Sequence, residues 1–312
     1  MLSVIIPVYN EEKQIANTIQ QVKNTISALD QDIEIIVIDD GSKDKTWDEL
    51  KKLAANNKEV IASRFSRNFG KEAALMAGLS MAKGDACITM DADLQHPPQL
   101  IPKMVSLWKE GFDVVEAVKN DRGKEKSSNR LFASLFYKIL HRLSGYNLQN
   151  ASDFKLLDKK VVDQISQMPE KETFYRGLSA WVGYKRTQVY FNVPERKTGK
   201  SRWSTLKLFR LAIGAFTSFS SIPLQFVTFI GILFLIGSVI LGIQTLIMKL
   251  KGWAIGGFTT VILLLLIIGS CLMISLGMIG IYIARIYNEV KSRPRYIISE
   301  QTTYHSQQNQ RS

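Results

Sequence analysis

Near-continuous apolar runs alternate with segments of helical period from the first residue onward. Leu2–Val8 reads as a buried strand, and Glu12–Leu29 as an amphipathic helix with Ile15, Ile19, Val22, Ile26 and Leu29 along one face. Ile33–Ile38 predicts a second strand, Thr46–Ala55 a helix and Val60–Ser63 a short third strand. Gly70–Lys83 predicts a helix of small residues, Ala86–Met90 a fourth strand, Pro98–Lys109 a helix, and Asp113–Val118 a strand that closes the run. Such alternation predicts an α/β domain: a mostly parallel sheet, covered on both faces and joined by right-handed crossovers.

Beyond Val118 the pattern changes. Lys126–Leu143 sets Arg130, Lys138 and Arg142 among Leu131, Phe132, Leu135, Phe136 and Ile139. That is a basic amphipathic helix, either at a membrane interface or on an ordinary protein surface. Thr205–Phe219 is a second candidate of the same kind. No charged side chain occurs in the 38 residues from Leu211 to Met248, or in the 33 from Gly252 to Ala284. Two membrane-crossing helices are therefore expected, over about 222–248 and 257–284. From Ser299 the chain is polar and Gln-rich and is expected to be a disordered tail.

Charge follows the same division. The net charge of +12 over 312 residues hides 13 basic and 18 acidic side chains in residues 1–117, against 27 and 10 in residues 118–312. The basic excess brackets the apolar stretches: Arg202, Lys207 and Arg210 before, and Arg285, Lys291, Arg293 and Arg295 after, with only Lys249 and Lys251 between. The asymmetry places both termini in the cytoplasm and a short hairpin turn outside. Two cysteines, Cys87 in a predicted strand and Cys271 in an apolar span, do not suggest a disulfide. The first residues lack a basic region and an apolar stretch long enough for a signal peptide. No nucleic-acid reading element accompanies the basic residues, so no nucleic-acid partner is expected.

In sheets of this type ligands lie beyond the carboxyl ends of the strands. There stand Pro7-Val8-Tyr9-Asn10-Glu11, Asp39-Asp40-Gly41-Ser42, Ser66-Arg67-Asn68-Phe69-Gly70 and Asp91-Ala92-Asp93-Leu94-Gln95. Asp91 and Asp93 flank one small residue, so their carboxylates can turn toward one point, a hard-oxygen set suited to Mg²⁺ or Mn²⁺. A helix-capping turn before Pro97-Pro98 is the plainer alternative. Asp39-Asp40, taken as the end of a neighbouring strand, strengthens the metal reading; His96 is expected to be structural. Neither common Gly-rich phosphate loop is present, nor a nucleophile elbow.

Residues 1–120, through these four strand-end motifs and Lys71, resemble a GT-A domain of glycosyltransferase family 2. Ser152-Asp153-Phe154-Lys155-Leu156-Leu157, Arg196-Lys197-Thr198-Gly199-Lys200-Ser201-Arg202-Trp203 and the two apolar spans make the chain similar to polyprenyl-phosphate glycosyltransferases of that family. The resemblance implies a GT-A catalytic domain over 1–203, a juxtamembrane amphipathic helix over 204–221, a two-helix membrane hairpin over 222–288 and a cytoplasmic tail over 289–312. It implies that Pro7, Tyr9, Glu11, Asp39, Asp40, Lys71, Asp91, Arg196, Lys200 and Arg202 bind a nucleotide sugar. Asp91, Asp93 and Gln95 would hold the metal. Lys119, Arg122, Arg130 and Ser134 would receive a polyprenyl phosphate, and Asp93, Asp153, Arg122 and Arg130 would serve the transfer.

The implied reaction moves one sugar, with inversion, from a UDP-sugar (UDP-glucose or UDP-N-acetylglucosamine) to undecaprenyl or another polyprenyl phosphate for cell-envelope glycosylation. A membrane-bound homo-oligomer, with a tetramer as one form, is implied too, as are a flippase and a downstream transferase as partners. Two departures stand out. Lys119 and Lys155 occupy positions where the family often has Arg. Gly199-Lys200-Ser201-Arg202-Trp203 lacks the Gln of the Gln-x-x-Arg-Trp motif of processive synthases. A processive polysaccharide synthase and a catalytically idle membrane scaffold are the competing readings.

Overall fold

The computed structural model describes residues 1–27, 29, 31–119, 151–168, 170, 174–191, 222–252 and 257–302. Both amphipathic segments lie outside these residues, as do Arg122, Arg130, Ser134, Arg196, Lys200 and Arg202. Strand β1 (Leu2–Val8) leads through α1 (Ile15–Ile26) to β2 (Ile33–Asp39), and α2 (Thr46–Asn56) leads to β3 (Val60–Phe65). Next come α3 (Lys71–Met81), β4 (Ala86–Thr89), α4 (Ile101–Lys109) and β5 (Val114–Lys119). A second run supplies β6 (Ala151–Asp158), α5 (Lys159–Gln167), α6 (Tyr175–Trp181) and β7 (Arg186–Phe191). The eight-stranded sheet, completed by β8 (Ile298–Thr302), has the order β7-β5-β6-β4-β1-β2-β3-β8.

β1 pairs in parallel with both β2 and β4, so the strand order reverses between β1 and β4. The two connections leave that point on opposite faces and open a crevice above it. β6 runs antiparallel to β4 and β5, inside the sheet. The period-2 alternation of β1 sorts its side chains between the layers. Leu2, Val4, Ile6 and Val8 join α1, α2 and α4 in one core, whereas Ile5 meets α3, α5 and α6 in the other. α3 owes its small residues to close approach: a Cβ at Gly78 would collide with the Ile5 side chain.

Two corrections to the sequence expectations concern the sheet. First, Asp39-Asp40 and Asp91 do not end neighbouring strands, because β1 lies between β2 and β4. Second, residues 298–302 are not a disordered tail. They form an antiparallel edge strand on β3, with Ser63 opposite Gln301 and Arg64 opposite Glu300. An exposed edge strand points most of its side chains at solvent, and such a segment reads as polar tail in composition.

The chain divides into two compact units, and among the described residues one holds the sheet and its helices. The other holds α7 (Ile222–Leu250) and α8 (Phe258–Val290). These helices are long and apolar enough to cross a membrane, with 24-residue candidate spans at Val227–Leu250 and Ile267–Val290. A Cβ at Gly231, Gly237, Gly242, Gly269, Gly277 or Gly280 would meet nothing within 4 Å among the described residues, so close packing against those residues does not require the glycines.

Candidate active site

The loop after β1 is tied to the loop after β2. Asn10 adopts a left-handed backbone (φ 57°), a conformation Asn tolerates better than most residues. Its N–H donates to Ser42 Oγ at 2.9 Å, and its Oδ1 accepts from the Lys43 N–H at 2.8 Å. The Glu11 N–H donates to Thr46 Oγ1 at 2.8 Å. Burial, then the charges of Asp93, Asp44 and Asp91, push the Glu11 carboxyl above its ordinary range. Pro7 is buried in the strand, and Tyr9 displays its ring at 40% exposure.

The two aspartates ending β2 behave differently. Asp39 is fully buried; its Oδ1 accepts from the Ser42 N–H at 2.9 Å. Arg64 Nε lies 3.4 Å from Asp39 Oδ2 without hydrogen-bond alignment, and Oδ2 has no hydrogen-bond partner among the described residues. Burial raises the Asp39 carboxyl above its usual range against the partial opposition of Ser42 and Arg64. An open, buried acceptor of this kind is costly unless a ligand donor meets it. Asp40, by contrast, accepts from the backbone N–H groups of Phe69 (2.7 Å) and Gly70 (2.9 Å) and is 4% exposed. Its carboxylate holds the third strand-end loop in place.

At the end of β4, Thr18 Oγ1 donates to the Ala92 carbonyl at 2.7 Å, and His96 Nδ1 accepts from the Asp91 N–H at 3.2 Å. The buried His96 ring stacks on Phe154 with centroids 5.3 Å apart. His96 is therefore a buttress for the turn, as expected. Asp93 is exposed, and its Oδ1 accepts from the Gln95 N–H at 3.0 Å.

Asp153, on β6, sits beside this turn. Its carboxylate accepts from Lys71 Nζ at 2.6 Å and from Arg176 Nε and Nη2 at 2.7 and 2.9 Å. Lys71 Nζ also lies 2.5 Å from Asp91 Oδ1, bridging the two acids. Burial opposes the charge on Asp153, but Lys71 and Arg176 outweigh it and hold the carboxyl well below the usual carboxylate range. Burial opposes the charge on Lys71 as well, and Asp91 and Asp153 hold the ammonium above the usual lysine range. Glu72, next along α3, accepts from the Tyr175 N–H at 2.8 Å, and burial with the Asp153 charge pushes it up to about 7. One layer below, fully buried Lys155 donates to Glu116 Oε1 at 2.7 Å and Ser179 Oγ at 2.6 Å, and Arg186 also reaches Glu116.

Comparison with known proteins decides what this arrangement belongs to. Residues 3–166 match the model of the family described as glycosyl transferase family 2. The chain belongs to that family. An uncharacterised glycosyltransferase of Synechocystis sp. is 39% identical over 302 residues, 96% of this chain and 95% of that protein. The bactoprenol glucosyl transferase of Shigella phage SfII is 38% identical over 301 residues, 96% and 97% of the two chains. A prophage bactoprenol glucosyl transferase homologue of Escherichia coli is 38% identical over 302 residues, 95% and 98%.

Within this family 2 glycosyltransferase, whose sheet domain has the GT-A fold, the structure brings Lys71, Asp91 and Asp153 into contact and sets Glu11 in the field of Asp91 and Asp93. Asp39 and Asp40 stand across β1 from them. The backbone of Lys119 pairs with Phe191 at the end of β5. Arg176 belongs to none of the sequence motifs. It lies in a helix outside the β-α-β run, and only the antiparallel insertion of β6 brings it to Asp153. No group of three or more His, Cys, Asp or Glu able to hold a metal occurs among the described residues. Asp91 and Asp93 nevertheless fit a hard divalent cation. They offer oxygen donors alone, the Lys71 ammonium already stands as a cation 2.5 Å from Asp91 Oδ1, and Mg²⁺ commonly takes one or two carboxylates with substrate phosphates.

Proposed function

We propose that this glycosyltransferase moves a single sugar, with inversion, from a UDP-sugar to a polyprenyl phosphate at a membrane surface, UDP-glucose being the favoured donor. The observation that carries the reading is the near-full-length similarity to bactoprenol glucosyl transferases, two apolar helices included. The strand-end geometry supports it: an open buried acceptor at Asp39 suits a nucleobase or ribose donor group, and Asp91 and Asp93 suit a metal-bound diphosphate.

The acceptor would be a phosphate monoester, largely dianionic at neutral pH because its second pKa is about 6. Such a nucleophile needs positioning and charge screening more than deprotonation. A carboxylate already clamped by two cations is a poor general base, so Asp153 serves best by orienting Lys71 and Arg176 around the transferred sugar. Asp91 and Asp93, with Gln95, would hold Mg²⁺ or Mn²⁺, which when bound screens the charge on the leaving nucleoside diphosphate. Lys119, Arg122, Arg130 and Ser134 would receive the lipid phosphate, and Arg196, Lys200 and Arg202 would close over the donor.

The chain's course favours a hairpin with both outer ends on one side. Strands β1–β7 and β8 belong to one sheet, and the two candidate spans among the described residues separate β7 from β8, so two crossings would return the chain to the catalytic side. The test is a panel of labelled UDP-sugars with undecaprenyl phosphate and Mg²⁺, scored for an organic-extractable, mild-acid-labile product. One sugar per lipid is expected, and Asp93→Asn should abolish transfer while leaving the melting temperature unchanged. A polymeric product, or no product with any donor, overturns the reading.

A further inference from the structure

Strand β8, which follows the second apolar helix in sequence, reaches the β2 turn through one side chain. Glu300 Oε2 accepts from Trp47 Nε1 at 3.0 Å, and Glu300 Oε1 accepts from Arg64 Nη1 at 3.4 Å. The same guanidinium donates through Nη2 to the Ser42 carbonyl at 3.0 Å and presents Nε 3.4 Å from Asp39 Oδ2. Ser42 in turn donates its N–H to Asp39 Oδ1, and its hydroxyl accepts from the Asn10 N–H. Arg64 thus hydrogen-bonds the turn and stands as an ion pair, without hydrogen-bond alignment, beside the buried carboxylate at its centre, while Glu300 and the Trp47 ring, 5.9 Å below the guanidinium, fix where Arg64 points.

The backbone explains why this contact recurs at one register. β8 pairs antiparallel with β3, placing Glu300 opposite Arg64, and the register shifts between Arg64 and Phe65. Just before the strand, Tyr296 stacks on Phe65 with centroids 5.0 Å apart, and its hydroxyl meets Ser80 Oγ at 3.0 Å. Arg295 donates to the Met168 carbonyl. The return of the chain to the sheet is therefore anchored by two residues just ahead of the strand, independently of Glu300.

We infer that Glu300 and Arg64 are positioning residues of the nucleotide pocket, so that the segment after the two apolar helices completes the donor site. Neither residue needs to touch the nucleotide. Arg64 sets the orientation of the Asp39 carboxylate, and Glu300 sets Arg64. The inference rests on the reading of Asp39 as a nucleotide-binding carboxylate.

The experiment uses the full chain in detergent, with UDP and Mg²⁺ as the calorimetric probe. Glu300→Ala should weaken UDP binding by about threefold, the range of a half-exposed ion pair. It should raise the KM for the sugar donor by the same factor and leave kcat unchanged. Glu300→Gln keeps an acceptor oxygen and should recover at least half of the lost affinity. Gln301→Ala, on the same strand, should bind UDP as the parent does. Parent-like UDP binding by Glu300→Ala overturns the inference. So does equal weakening in Glu300→Ala and Gln301→Ala, or a lowered kcat and melting temperature with KM unmoved, since either makes the strand a stabilising element only. If the parent chain itself binds no UDP, the donor reading fails before the role of Glu300 is reached.

Discussion

Replacing Arg176 with Met keeps the apolar stem of the side chain and removes two charge-assisted hydrogen bonds from Asp153, at 2.7 and 2.9 Å. Each such bond contributes about 1.5–3 kcal/mol when its partner is buried, and Asp153 is 5% exposed. Two considerations reduce the sum. Arg176 is itself 33% exposed, so solvent screens its charge, and Lys71 still donates to Asp153 at 2.6 Å. A net loss of about 2 kcal/mol remains, which equals about a 30-fold fall in transfer rate if the interaction persists into the transition state. Stability should show the same term with a defined sign. The Asp153 carboxyl is depressed in the folded protein, so its contribution is present above the unfolded value of 3.8 and lost as pH falls through the folded one. The difference in melting temperature between parent and variant should therefore be largest near pH 7 and shrink below about pH 4. Arg176→Lys should recover part of the activity, because charge returns without the planar fork. Single-turnover transfer at saturating donor, together with calorimetric melting at both pH values, reads all of this. Unchanged transfer with a lowered melting temperature would refute a role in the site, and unchanged melting at both pH values would refute the electrostatic argument.

Glu72 is pushed up to about 7, above its ordinary 4.5, so ionising it destabilises the folded state as pH rises from 4.5 through 7. Glu72→Gln should abolish that fall, and parallel melting-temperature profiles of parent and variant between pH 5 and 8 would contradict it. Lys155→Ala leaves Glu116 buried with Arg186 as its remaining cation, and should cost about 3 kcal/mol in urea unfolding; a loss below 1 kcal/mol would mean that Arg186 alone compensates. Gly41 has φ 70°, and a Cβ there would lie 2.5 Å from the Arg67 carbonyl carbon. Gly41→Ala should therefore displace the Asp39–Ser42 turn and weaken UDP binding in calorimetry, with parent-like affinity counting against the turn's role.

The first five strands and their helices were legible because each obeys a local rule. β1 is apolar except for Ser3 and buried on both faces, and α1 carries Ile15, Ile19, Val22 and Ile26 on a single stripe. The strand-end acids were legible for a related reason: charge directly after a buried run must either leave the core or find a partner. β6 is not legible as a strand, although its Ser152-Asp153-Phe154-Lys155 segment stands out as a motif. Asp153 and Lys155 are buried there only because Lys71, Arg176, Glu116 and Ser179 reach them from distant parts of the chain. β8 reads as a tail in sequence because an edge strand's polar side chains carry no periodic burial signal.

Taken alone, then, the order of residues determined the α/β class, the family, the two apolar helices and the identity of the acids at the strand ends. These follow from hydrophobic period, segregation of charge and motif order, all of which are local along the chain. Tertiary structure decided the strand order that opens the crevice between β1 and β4, the contrast between Asp39 with an open oxygen and Asp40 with none, and the entry of Arg176 and Glu300. Strand order and side-chain partnership join residues far apart in sequence, as Lys71 is from Asp153 and Arg64 from Glu300. Pairings of that kind are set by how the layers pack, and no local pattern encodes them.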